Sequence, residues 1–139
     1  MTQEATNQDP RIVAAIRQAI DLHTQGQTEV AIQHLSSLLA EYPTAANLYG
    51  YIAAFLSRSG RFDEAIEPAR QATLLAPESE NASITLSQAL WRTGQRDDAF
   101  EEMKRFIRIR PSKVYSEMIK EWKRCEAEEQ GQADAESDR

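Results

Sequence analysis

Apolar residues recur three and four positions apart on both sides of a glycine near the middle of the chain. Ile52 and Leu56 precede Gly60 at this spacing, and alanine and isoleucine continue it from 65 to 72. Such spacing places the apolar side chains on one face of an α-helix. Because glycine adopts the left-handed backbone of a helix end without steric cost, the pattern predicts two helices joined by a turn at Gly60.

The same frame occurs three times along the chain. Gly26, Gly60 and Gly94 stand 34 residues apart, and each is followed five residues later by an alanine and seventeen residues later by a proline. Those residues are Ala31, Ala65 and Ala99, and Pro43, Pro77 and Pro111. The alanines are expected where the two helices of a pair come closest, and the prolines where the second helix ends. A fixed period of this length predicts one helix-turn-helix unit that is copied and stacked.

The middle copy resembles the tetratricopeptide repeat. It follows the pattern of that family at Tyr49, Ala53, Gly60, Ala65, Ala72 and Pro77. The first copy matches at Ala19, Leu22, Gly26, Ala31, Leu35 and Pro43, with Leu38 where a small residue is usual. The third matches at Ser87, Leu90, Gly94, Ala99 and Pro111, with the larger Phe106 at the equivalent place. The resemblance covers residues 10–130 and implies an all-α fold, a right-handed superhelical stack of three helix-turn-helix repeats with a C-terminal capping helix.

The helical pattern continues after Pro111, where the 34-residue period stops. An apolar stripe at helical spacing comprises Val114, Tyr115, Met118, Ile119 and Trp122, and the opposite side comprises Lys113, Glu117, Lys120, Glu121 and Arg124. Ser112 is placed to cap this helix. An open stack exposes the apolar face of its last repeat, so we predict that this helix covers that face. The alternative is a helix that docks on another protein.

Start signals and composition complete the predicted domain map. Asp9 and Pro10 predict the start of the first helix, Thr44 that of the third, and Ser79 or Glu78 that of the fifth. Pro68 is expected to bend the fourth helix without breaking it. The map is a disordered N-terminus (1–9), a repeat domain (10–130) with repeats at about 12–45, 46–79 and 80–111 and a capping helix (112–130), and an acidic disordered tail (131–139).

Composition and motifs argue against catalysis. The net charge of −6, the absence of a signal-peptide pattern and the single Cys125 predict a soluble, cytoplasmic protein with no membrane partner. His23 and His34 are the only histidines, and they fall on different predicted helices. No phosphate-binding loop, nucleophile motif or metal-ligand spacing is present, so the sequence predicts no enzyme, no catalytic residue, no metal site and no cofactor.

The resemblance implies a concave groove, lined by the first helix of each repeat, that holds a peptide or helix of another protein. Projecting the helical period from the packed positions places twelve residues on that side. They are Val13, Ile16, Arg17 and Ile20, then Asn47, Tyr51, Ala54 and Arg58, then Asn81, Thr85, Gln88 and Arg92. Trp91 is expected at the edge of the groove, either as core beside the capping helix or as a binding anchor. The resemblance thus implies a non-enzymatic adaptor or assembly factor.

In family members that hold chaperone tails, lysines, asparagines and an arginine in the groove grip the terminal carboxylates. The equivalent positions here are Ile16, Ile20, Tyr51, Asn81 and Thr85. The cations of that clamp are missing, so we predict that this chain does not measurably bind the acidic C-terminal peptide of a chaperone.

Two other functions are compatible with the sequence. Val13, Ile16 and Ile20 are expected to form an exposed apolar stripe on the first helix, which would suit a homodimer or a self-associating scaffold. A basic segment, 104–124, contains Lys104, Arg105, Arg108, Arg110, Lys113, Lys120, Lys123 and Arg124 and could contact RNA or another polyanion. Nucleic acid is the less favoured partner, because cations suit the end of a helix and the acidic tail could lie across them.

Overall fold

In a computed structural model of the chain, residues 2–137 are described and form eight helices. They are α1 (Gln3–Asn7), α2 (Pro10–Thr24), α3 (Thr28–Leu39), α4 (Ala46–Arg58), α5 (Phe62–Leu75), α6 (Glu80–Arg92), α7 (Arg96–Ile109) and α8 (Lys113–Ser137). Helices α2 to α7 form three antiparallel pairs, and consecutive pairs pack on one another. The fold is the predicted all-α right-handed superhelical stack of three helix-turn-helix repeats with α8 as its C-terminal cap.

Each repeat turns at its predicted glycine. Gly26, Gly60 and Gly94 have φ angles of 82°, 77° and 83°, and no other described residue has a left-handed φ. The backbone amide of the residue after each glycine donates a hydrogen bond to the carbonyl of the residue five positions before that donor. The three bonds run from Gln27 to Leu22 (2.8 Å), from Arg61 to Leu56 (2.9 Å) and from Gln95 to Leu90 (2.8 Å). This bond closes a helix around a left-handed residue. The turn prediction is confirmed in all three copies.

The burial of the alanines agrees with the sequence prediction, and the bend predicted at Pro68 stays a prediction. Ala31, Ala65 and Ala99 expose none of their surface, as expected for residues at the closest approach of two helices. Helix α5 runs unbroken through Pro68. The repeat boundaries themselves stay a prediction.

Three of the predicted helix caps are confirmed. The Asp9 carboxylate accepts a hydrogen bond from the Arg11 amide at 2.9 Å, with Pro10 as the first residue of α2. The Ser79 hydroxyl accepts from the Ala82 amide at 3.3 Å and starts α6. The Ser112 hydroxyl accepts from the Tyr115 amide at 3.1 Å and starts α8.

The N-terminal segment differs from the prediction. Residues 3 to 7, expected to be disordered, form α1, and Thr44 does not cap α4, whose cap residue is Ala45. Alanine offers no acceptor, and the Gln3 side chain supplies one from α1. Its oxygen accepts from the Ala46 amide at 3.0 Å, and its nitrogen donates to the Thr44 carbonyl. A side chain 43 positions away from Ala46 therefore caps α4 and fixes α1 in place.

Replacing Gln3 with alanine is expected to destabilise the stack, because the first amide of α4 would lose its acceptor. Loss of a helix cap costs about 0.5 to 2 kcal/mol, which lowers the melting temperature by several degrees in a domain of this size. The control is Gln8→Ala, because the Gln8 side chain is exposed and makes no hydrogen bond within the described residues. Equal melting temperatures for the two variants in circular dichroism would show that Gln3 is not a working cap.

Tyr115 anchors the capping helix. Its ring is fully buried and meets Phe106 edge-on, with 5.7 Å between the ring centroids. Its hydroxyl lies 2.6 Å from the Ser83 hydroxyl and 3.1 Å from the Ser87 hydroxyl, both on α6. Burial raises the pKa of this phenol to about 12, so the hydroxyl stays protonated over the physiological range. α8 is thereby joined to the last repeat by both packing and hydrogen bonds.

An aromatic stack makes the second contact of the cap. The Trp122 ring lies parallel to Trp91, with 4.3 Å between centroids, and the Arg96 guanidinium covers the Trp91 ring at 4.3 Å. Trp91 is therefore partly buried and packs against the core beside the cap, which agrees with the first of its two predicted roles. Val114 is 45% exposed and does not belong to the packed stripe, since one residue along a helix turns the side chain by about 100° from its buried neighbour Tyr115.

The acidic C-terminal segment continues as helix. α8 extends to Ser137, so the expected disorder from residue 131 is wrong for residues 131–137, and residues 138 and 139 lie outside the described part of the chain. Alanine, glutamate and glutamine favour helix in this stretch. Within the described residues this segment makes one ion pair, between Glu129 and Arg96 at 2.6 Å, and none with the basic run 104–124.

Candidate binding groove

Three helices line the concave side of the stack. α2, α4 and α6 are the first helices of their repeats, and α4 contacts both of the others. Because the repeat is 34 residues long, equivalent residues of the three helices form rows across this side. The rows are Val13, Asn47 and Asn81; Arg17, Tyr51 and Thr85; Ile20, Ala54 and Gln88; and Thr24, Arg58 and Arg92.

Part of this side is a groove with a volume of about 750 Å³. Six of the predicted residues line it: Asn47, Tyr51, Ala54, Arg58, Asn81 and Thr85. Gln88 and Arg92 are exposed further along α6 and do not line it. The volume falls within the range of ligand pockets in proteins.

The groove also has a wall that the sequence did not predict. Gln3, Glu4, Asn7 and Gln8 line it from α1 and the residue that follows. The available signal was Thr2, whose hydroxyl accepts from the Ala5 amide at 3.1 Å and caps α1. Such a cap is too common to predict a helix of five residues by itself.

Small residues keep the groove open. Ala46, Gly50 and Ala54 line it on α4, and Ala72 and Ala76 line it near the end of α5. Each of these side chains is a methyl group or a hydrogen, so space remains above them for another chain.

Tyr51 is the large aromatic side chain of the groove. It is 37% exposed, and its ring lies 6.2 Å from that of Phe55 on the same helix. Phe55 is buried and stacks on His23 of α2 at 4.8 Å, and the His23 Nδ1 lies 2.8 Å from the Thr28 hydroxyl. The base of Tyr51 therefore rests on an aromatic core that is held by two repeats, while its outer edge is free for contact.

Asn47 carries an unpaired acceptor at the groove wall. Its side-chain oxygen is shielded from solvent and has no hydrogen-bond partner among the described residues. An unpaired buried polar atom costs about 1 to 3 kcal/mol. Because this oxygen is shielded, a bound chain can pair with it only after the Asn47 amide turns toward the groove.

The first repeat departs from the prediction. Ile16 is only 9% exposed and lies in the core with Ile12, Ala15 and Ala19, whereas Ile20 is 38% exposed. The expected rotation considered contact with α3 alone, but α2 also contacts α4, so its buried side is wider. The predicted exposed stripe of Val13, Ile16 and Ile20 is therefore wrong at its centre. Val13 is half-buried, Arg17 is exposed, and neither they nor Ile20 line the groove.

Among the described residues no group of three or more histidine, cysteine, aspartate or glutamate side chains is close enough to hold a metal ion. Within residues 2–137, no helix combines the length and the apolar character that crossing a membrane requires.

The family model described as "Tetratricopeptide repeat" matches residues 16–79 and 56–114. The chain belongs to the tetratricopeptide repeat family. The two matches overlap and together cover the three turn glycines, in agreement with the period seen in the sequence. No curated protein matches this tetratricopeptide chain in sequence.

Solved structures share the fold of this tetratricopeptide chain. The second TPR of Spaghetti (RPAP3) bound to an HSP90 peptide has a TM-score of 0.66 at 19% identity, covering 77% of this chain and 99% of that one. A MamA mutant has a TM-score of 0.62 at 17% identity, covering 79% and 81%. A second MamA mutant has a TM-score of 0.61 at 19% identity, covering 76% and 58%. At these identities the likeness shows the fold alone.

Proposed function

We propose that this tetratricopeptide repeat protein is a non-enzymatic adaptor or assembly factor that binds a peptide or helix of a partner protein in its concave groove. The observation that carries the proposal is the open groove between α1, α4 and α6, which is lined by small and polar residues and by the partly exposed aromatic side chain of Tyr51. Aromatic residues of this kind are common anchors of protein interfaces. The peptide bound by the second TPR of Spaghetti supports a ligand of the same general type.

The two alternative functions are less well supported. Self-association was predicted to use the apolar stripe of the first helix, but Ile16, the central residue of that stripe, is buried and is not available to a second copy. In the basic segment 104–124, two cations are already paired with carboxylates: Lys104 with Glu101 at 3.3 Å and Arg105 with Glu102 at 2.6 Å. These pairs reduce the positive charge that the segment offers to a polyanion.

Selection of short random peptides, displayed on phage, against the purified chain tests the proposal. The affinity of a selected peptide is then measured by fluorescence anisotropy for the native chain and for Tyr51→Ala. We expect Tyr51→Ala to weaken binding about tenfold, as loss of an aromatic anchor does. The matched control is Leu74→Ala, which removes an apolar side chain 67% exposed on α5 and outside the groove. If no peptide is selected, or if both variants bind like the native chain, the groove is not the site.

A free C-terminus is not expected to matter for binding. The positions that clamp a terminal carboxylate in chaperone-binding family members carry no lysine or arginine here, and one of them, Ile16, is buried. A selected peptide should therefore bind with equal affinity, within about twofold, whether its C-terminus is a carboxylate or an amide, as measured by calorimetry. A loss of binding on amidation would show that another cation takes over the role of the clamp.

A further inference from the structure

The last row of the groove side contains two arginines at the same repeat position. Arg58 lies in the last turn of α4, where it lines the groove, and Arg92 lies in the last turn of α6. The equivalent residue of the first repeat is Thr24, whose hydroxyl donates to the carbonyl of Ile20 in its own helix. The second and third repeats thus place cations on the same side of the stack, with Arg58 in the lining of the groove and Arg92 exposed just beyond it, and the first repeat does not.

Neither arginine is neutralised by the described part of the chain. Ion pairs within 4.0 Å hold five other cations, namely Arg11, Arg61, Arg96, Lys104 and Arg105, but not Arg58 or Arg92. The Arg92 guanidinium lies over the ring of Phe62, 5.3 Å from its centroid. Phe62 is the first residue of α5, directly after the turn that follows Arg58, so both arginines lie beside the same turn.

The opposite end of the groove carries the opposite charge. Glu4 of α1 and Glu78, just before α6, line it beside the N-termini of α4 and α6. Neither carboxylate is within ion-pair distance of a cation among the described residues. The groove therefore has carboxylates at one end, uncharged polar and small residues in its middle, and the Arg58 guanidinium at the other end, with Arg92 exposed beyond it.

We propose that the partner segment is acidic at the end that lies against Arg58 and Arg92. This charge determines which segments bind and in which direction they lie in the groove. The proposal rests on the proposed function. Complementary charge selects partners and fixes the register of a bound chain. Carboxylate side chains meet two guanidinium groups at the arginine edge, whereas Glu4 and Glu78 repel them at the other end. This differs from a clamp on a terminal carboxylate, because here the side chains of an internal stretch are recognised.

The test is a peptide selection on the native chain and on the charge-reversed variant Arg58→Glu/Arg92→Glu, with peptides displayed so that they have no free C-terminus. We expect peptides selected on the native chain to be rich in aspartate and glutamate at one end. Their affinity should fall about tenfold on the reversed variant, and peptides with those acids changed to lysine should recover it there. The affinity should also fall as salt is raised.

The matched control is Arg70→Glu/Arg108→Glu, which makes the same charge change at two exposed arginines of α5 and α7 outside the groove. This variant should keep the affinity of the native chain, and circular dichroism shows whether both variants are folded. Peptides that bind through Tyr51 but carry no acidic preference would overturn the charge proposal and leave the proposed function in place. Failure to select any peptide would overturn both.

A second copy of the chain is the competing occupant, because its segment after Cys125 is acidic. Sedimentation of the native chain decides this point. A monomer at all tested concentrations supports a separate partner. A dimer that is lost both in Arg58→Glu/Arg92→Glu and in a chain cut after Cys125 would overturn the proposal in favour of self-association.

Discussion

Cutting the chain after Pro111 is expected to give a product that aggregates or fails to fold. The cut removes Tyr115 from its buried place against Phe106, and Trp122 from the face of Trp91. Burial of one large side chain contributes about 1.5 to 3 kcal/mol, and both sides of each contact become exposed. A domain has only about 5 to 15 kcal/mol of net stability, so losses of this size are not tolerated. Circular dichroism melting and gel filtration would show the loss of a cooperative transition and of a monomeric peak.

The control for this truncation is a chain that ends at Gln130. It keeps both aromatic contacts and the ion pair between Glu129 and Arg96, and it removes residues of which 131–136 are exposed. We expect its melting temperature to stay within a few degrees of that of the full chain. If the chain ending at Pro111 is monomeric and equally stable, α8 is not needed as a cap and is available to bind a partner.

The repeat frame could be predicted because local backbone geometry and tight packing each allow few residue types. A left-handed helix end favours glycine, and Gly26, Gly60 and Gly94 all have that conformation. A close helix crossing requires a small side chain, and the three alanines that follow expose no surface. Each requirement recurs at the same spacing, so three copies support a single interpretation.

The N-terminal wall of the groove could not be predicted, because it depends on a contact distant in sequence. Helices as short as α1 are unstable alone. The hydrogen bonds of Gln3 to Thr44 and Ala46 join residues more than 40 positions apart, and a single sequence gives no sign of them. On α4 and α6 the helical period and the repeat period together predicted which way the residues face, but not how far the groove extends, since Gln88 and Arg92 lie outside it.

The sequence prediction was wrong about which side of α2 is buried, because it placed Ile16 on the exposed side. The separate variants Ile16→Glu and Ile20→Glu test the placement of the two residues in the structure. The two residues are one helical turn apart and receive the same substitution, but Ile16 is 9% exposed and Ile20 is 38% exposed. Ile16→Glu places a carboxylate in the core and removes an aliphatic side chain, so we expect a loss of about 3 to 5 kcal/mol. Ile20→Glu should cost less than about 1 kcal/mol.

Chemical denaturation of both variants, followed by circular dichroism, measures the difference. The conservative variant Ile16→Val should lose about 0.5 to 1.5 kcal/mol, which separates the loss of packing from the burial of charge. Equal losses for Ile16→Glu and Ile20→Glu would mean that α2 has another rotation. The rows of the concave side assume that equivalent residues of α2, α4 and α6 face the same way. With another rotation of α2, Arg17 would no longer lie in a row with Tyr51, nor Ile20 with Ala54.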